Sequence, residues 1–148
     1  MAEPKELVDS LEQGAELPSS NEERFAEYGV MGVPFTSGDL LAMRRFSASL
    51  LGQGYTSVWH RDPQGRWTFY TDVPPQLACP RYFGSAISEA GVREIEITWS
   101  SPRDFTILIE EDSSLNWHLS SVRLHPVIRP RGFSTGCTVF DPTKLESR

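Results

Sequence analysis

Tyr55-Thr56-Ser57-Val58-Trp59-His60-Arg61-Asp62-Pro63-Gln64-Gly65-Arg66-Trp67-Thr68-Phe69-Tyr70-Thr71-Asp72-Val73 decides the fold, because it reads as one long β-hairpin. Two runs rich in Thr, Val and aromatic residues flank Asp62-Pro63-Gln64-Gly65, the composition of paired strands around a turn. Pro63 pre-sets the backbone for the first central position of a type I turn, and Gly65 can take the left-handed conformation that closes the loop with a bulge. The turn then sets the register. With Asp62 facing Arg66, Arg61 faces Trp67, His60 faces Thr68, Trp59 faces Phe69 and Val58 faces Tyr70. One face carries Tyr55, Trp59, Trp67, Phe69 and Val73, with Arg61 placed to stack on Trp67, and is a core face. The other carries Val58, His60, Thr68, Tyr70 and Asp72, too apolar for solvent and too polar for a plain core. Such a sheet needs a second layer or a cavity on that side.

Downstream, Pro74-Pro75 halts the second arm, since proline cannot donate to a ladder. Pro75 begins a short helical turn through Cys79, which Pro80 ends, and Gly84 to Gly91 reads as a second turn or short helix. A second hairpin follows: Ile95, Ile97 and Trp99 alternate with Glu94, Glu96 and Thr98, and Phe105, Ile107 and Ile109 answer them across Ser100 to Asp104. After the polar turn Glu110 to Ser114, Leu115 to Leu124 forms another strand, with a bulge at Ser120-Ser121 where the apolar alternation slips by one. Pro126 to Arg148 reads as irregular.

Upstream, Leu40, Met43, Phe46 and Leu50 fall at helical spacing, yet Leu40 to Phe46 also alternates as a strand does; strands after the next turn favour the strand. Short helices are expected over Pro4 to Gln13 and over Ser20 to Tyr28, with Gly29 to Phe35 as an apolar linker. The organisation expected is therefore an acidic N-terminal extension over 1–37, an antiparallel β domain over 38–128 and an irregular tail over 129–148. The fold class is mainly β: an antiparallel meander of five or six strands, curled into a full or partial barrel that protects its edges.

Composition narrows the function. The 148 residues carry a net charge of -6, and the first 28 hold eight acids against Lys5 and Arg24, which accounts for all of it. No basic stripe exists to release counterions from phosphates, so nucleic acid is disfavoured as a partner and none is expected. Arg123, Arg129 and Arg131 form a small basic cluster that reads as solvated surface. Cys79 and Cys137 have neither disulfide-scaffold nor zinc-site spacing, and His60, His118 and His125 lack a shared ligand spacing, so no metal or cofactor is expected. Without a transmembrane run or a signal h-region, a cytoplasmic protein with no membrane partner is expected.

Gly54 to Pro63, Gly65 to Tyr70 and Cys79-Pro80-Arg81-Tyr82-Phe83-Gly84 together resemble a group of uncharacterised, mostly actinobacterial proteins. Their fold is similar to the lipocalin-like (calycin) barrels, the class that includes carotenoid hydratase and related two-barrel isomerases and cyclases. The resemblance spans 32–128 and implies a barrel around a small ligand, with no assigned catalytic residue.

Val58, His60, Tyr70 and Asp72 are the candidate ligand-binding residues. An imidazole and a phenol on one face of a hairpin can act as a proton donor and acceptor, or orient a polar group on an apolar ligand. Trp59, Trp67, Trp99 and Trp117 sit on the apolar faces of their strands and read as core. Two functions follow. One is a barrel binding a hydrophobic small molecule, with cofactor-independent acid-base activity of the isomerase, hydratase or cyclase kind. The other is a non-catalytic interaction module, a homodimer included, that pairs through an open sheet edge.

Overall fold

Gly65 takes a φ of 85°, and the turn closes with the Gly65 amide donating to the Asp62 carbonyl at 2.9 Å. The Asp62 carboxylate reinforces it, accepting from the Gln64 and Arg66 amides at 2.9 Å each. The two arms pair in the register the turn demands, Val58 opposite Tyr70, Trp59 opposite Phe69, His60 opposite Thr68 and Arg61 opposite Trp67. The structure, a computed structural model, describes residues 3–110 except 18, 20, 22 and 51, together with the backbone of 116–120.

Around this hairpin, β3 (Tyr55–Arg61) and β4 (Trp67–Thr71), the sheet grows on both sides. Strand β2 (Leu40–Ser49) pairs antiparallel with β3, and β1 (Phe25–Pro34) pairs antiparallel with β2. Strand β5 (Glu89–Val92) adds to the far side of β4, giving the order β1-β2-β3-β4-β5. A second sheet is formed by β6 (Ile95–Trp99), β7 (Asp104–Ile109) and β8 (Asn116–Ser120), all antiparallel. The fold is thus mainly β and dominated by antiparallel pairs. Among the described residues the strands form two open sheets.

Several expectations are corrected. Phe25 to Tyr28, expected in a helix, and Gly29 to Pro34, expected in a linker, are the strand β1. Its aromatic and β-branched residues gain more from burial against β2 than a short acidic helix would offer, so tertiary context overrides local propensity. The boundary drawn at 37 falls inside the β1–β2 hairpin. Glu89 to Val92, read as turn or helix, is β5, and it pairs parallel to β4, so the meander breaks there. A parallel neighbour requires a crossover, which the three prolines and Gly84 of 74–88 supply as a 3-10 turn at Pro75–Leu77, helix α2 at Pro80–Phe83 and a second 3-10 turn at Gly84–Ala86, the N-terminal helix α1 being Pro4–Gly14. Finally, the cation over the aromatics of the core face is Arg44, with Cζ 5.1 Å from the Phe46 ring and 5.7 Å from that of Trp59; Arg61 leans toward Gly65 instead.

The crossover covers the tryptophan face. Ala78, Cys79, Tyr82, Phe83 and Ile87 pack on Phe46, Tyr55, Trp59, Trp67, Phe69 and Val73, with Trp59 stacked on Phe69 at 4.9 Å and Phe46 on Tyr55 at 4.3 Å. The second sheet covers the mixed face. Phe105, Ile107 and Ile109 pack on Leu41, Met43, Val58 and Tyr70. Both faces of the central hairpin are therefore layered, and the space expected opposite Val58 and Tyr70 is filled by protein.

The bulge expected at Ser120-Ser121, the irregular tail, His125, Cys137 and the cluster Arg123, Arg129 and Arg131 lie outside the described residues. Among the described residues no helix is long and apolar enough to cross a membrane.

Candidate functional site

The register continues across strands and arranges the mixed face in three transverse rows. Val30, Met43, Val58 and Tyr70 stand opposite one another in sequence across β1 to β4. Val33, Leu41, His60 and Thr68 form a second row. Tyr28, Arg45 and Thr56 begin a third, which Asp72 completes just past β4: its amide donates to the Thr56 carbonyl at 3.3 Å and its Oδ1 accepts from the Thr56 amide at 2.8 Å. Rows on one face are spaced by two residues, about 7 Å.

The four residues expected at a ligand site therefore part company. Val58 and Tyr70 belong to the middle row and are buried in the core between the sheets. His60 belongs to the next row, where its Nε2 lies 2.7 Å from Asp39 Oδ1. Ser37 Oγ donates to the other Asp39 oxygen at 2.6 Å, and these two hydrogen bonds, Ser37 first and His60 second, hold the Asp39 carboxyl below its usual range. That pair fastens the β1–β2 turn to β3. Asp72 alone of the four reaches an open site.

That site is a cleft of about 410 Å³ at the polar row, where the second sheet no longer covers the first. Tyr28, Arg45, Thr56 and Asp72 form its floor. Ile95, Ile97 and Trp99 of β6 form an apolar wall, and Val8, Asp9 and Glu12 of α1 close a third side. Helix α1 starts at Pro4 with a capping box, Glu3 and Glu6 satisfying each other's backbone amides.

Electrostatics in the cleft are organised on Glu12. Arg45 grips its carboxylate with two hydrogen bonds, Nε to Oε1 at 3.0 Å and Nη2 to Oε2 at 3.3 Å, and the Tyr28 hydroxyl donates to Oε1 at 3.0 Å. Burial works to raise the Glu12 carboxyl, but Arg45 outweighs it and the net shift is downward. Burial likewise opposes the Arg45 charge, and Glu12 reverses that, so the guanidinium titrates above its ordinary range. Tyr28 is pushed far upward, by burial first and then by the charge of Glu12, so it remains a phenol that donates. With Glu12 and Arg45 satisfying one another, the Asp72 carboxylate is the floor group with acceptor capacity left over, since one oxygen is engaged by a single amide and a carboxylate offers about four lone pairs.

Of the residues that line this cleft, the sequence singles out Asp72 and gives no local signal for Arg45, Tyr28 or Glu12. Arg45 and Tyr28 were within reach of a register extended from β3 to its neighbours; Glu12 lies on a separate helix 33 positions from Arg45, and no local pattern carries that contact. Among the described residues no cluster of metal-binding side chains is present. Comparison of the chain with protein-family models, curated proteins and solved structures finds no match.

Proposed function

We propose that this chain is a small-molecule binding domain whose site is the cleft between the two sheets beside α1. The observation that carries the reading is the pairing of an apolar wall, Ile95, Ile97 and Trp99, with a polar floor holding the Asp72 carboxylate, in a space of about 410 Å³. A cleft of this volume that sets an apolar wall against placed polar groups can seat a small ligand by both kinds of contact. The ligand has an apolar, planar or branched body lying on Trp99, and a hydroxyl or amine that donates to Asp72. An acid-base step by His60 and Tyr70 has no place in this reading, because Tyr70 is core and His60 is tied to Asp39 outside the cleft.

The lipocalin-like kinship expected from the hairpin motifs belongs to the same proposal: an antiparallel sheet folded over one small ligand. Its support is the β1–β4 meander with a cleft on one face. The alternative, pairing with a second chain through an open edge, rests on the ten-residue edge strand β1 with Met31 half exposed. Two register shifts interrupt β1, one beside Gly32 at a φ of 76°. Such irregularities blunt an edge against pairing, which favours the cleft.

Fluorescence titration with Nile red tests the two. Saturable one-to-one binding is expected, weakened about tenfold in Trp99→Ala, or ~1.4 kcal/mol, and unchanged in His60→Leu. No saturable binding, together with a concentration-dependent dimer by ultracentrifugation, would favour the edge.

A further inference from the structure

Helix α1 touches both sheets, yet none of its residues is buried. Its N-terminal end is fixed to the β6–β7 turn: the Lys5 amide donates to the Pro102 carbonyl at 3.1 Å, and Arg103 grips the Glu3 carboxylate at 2.6 and 2.9 Å. Its C-terminal end is fixed to the other sheet, where Glu12 meets Arg45 of β2 and Tyr28 of β1. Between these ends it lies across the cleft, and Leu7 remains 50% exposed. An eleven-residue helix is marginal in water on its own, and exposed ion pairs are weak and screened by salt. The ties of α1 to the two sheets among the described residues are thus hydrogen bonds and ion pairs at its two ends, with only the half-buried Val8 and Leu11 adding apolar contact between them.

We propose that α1 is a removable strap over the cleft, latched to one sheet by Glu3–Arg103 and to the other by Glu12–Arg45, and that its release admits the ligand. This inference rests on the cleft being the binding site. Release requires no change in either sheet, because the core clusters contain no α1 residue. It exposes Ile95, Ile97 and Trp99 together with the Asp72 carboxylate, the surfaces assigned to the ligand.

Amide hydrogen exchange on the full chain, read by mass spectrometry at low salt and at about 1 M NaCl, where the screening length falls to about 3 Å, tests the strap. Protection of 4–14 is expected at low salt and is expected to fall about tenfold at high salt, with β3 and β4 unaffected. Arg103→Gln is expected to reproduce that loss at low salt and to raise the Nile red association rate. Arg66→Gln, which removes the exposed pair with Asp62 at the far hairpin turn, serves as the control and leaves α1 protected. The strap is overturned if α1 is unprotected at low salt, or if its protection ignores both salt and Arg103→Gln. A failed small-molecule reading shows separately, as absent dye saturation in every variant whatever the exchange of α1.

Discussion

A methyl group on Gly29 would press into the carbonyl oxygen of Met43 and lie 3.2 Å from Arg44 Cα, because β1 and β2 approach closely where that residue has no side chain. Backbone cannot yield as a side-chain tip can. Gly29→Ala is therefore expected to cost about 1–3 kcal/mol in urea denaturation, while Gly14→Ala, with nothing within 4 Å, stays within about 0.5 kcal/mol. Ile107 has the opposite role. It is fully buried and sits among Met43, Val58 and Tyr70, so Ile107→Ala opens a cavity between the sheets and is expected to cost about 2–5 kcal/mol. A cost below 1 kcal/mol would mean that the second sheet does not cover the Val58–Tyr70 row.

For α1 the relevant variable is acid. Folding lowers the Glu12 carboxyl below its ordinary 4.5 because Arg45 outweighs burial, so the folded state binds this proton less readily than the unfolded one. The contribution is therefore complete above about pH 4.5 and is lost as pH falls through the lower folded value. Glu3 shifts the same way through its hydrogen bonds to Arg103. Exchange protection of 4–14 is expected to disappear below pH 4.5 ahead of the strands; loss of both together would place α1 in the core. The strands themselves were legible in the sequence wherever alternation and a turn signal agreed, as in β3–β4 around Pro63 and Gly65, and in β6–β7, where Ile95, Ile97 and Trp99 face Ile109, Ile107 and Phe105. Strands β1 and β5 were not. Each is an edge whose conformation is imposed by a neighbour, β1 by β2 and β5 by a crossover, and its own residues favour helix or turn about as well. Asp72 was singled out because it shares the hairpin's face, and the hairpin register already separates it from His60 and Tyr70; which of these rows lies under the second sheet and which borders a cleft emerges only from the packing of the two sheets.

In the assembled fold the mixed face divides its residues between core, a turn fastening and the cleft. The middle row is core together with Leu41 of the next row, His60 in that next row fastens a turn, and Tyr28, Arg45, Thr56 and Asp72 border the cleft between α1 and β6. Layering on both sides of the central hairpin buries both of its faces, and it concentrates the open space at one end. The most direct measurement is a methyl-carbon NMR titration of the full chain with Nile red. The account predicts saturating shifts at the Ile95 and Ile97 methyls with those of Val58 and Ile107 unmoved; shifts centred on Val58, or spread evenly over the core, would contradict it.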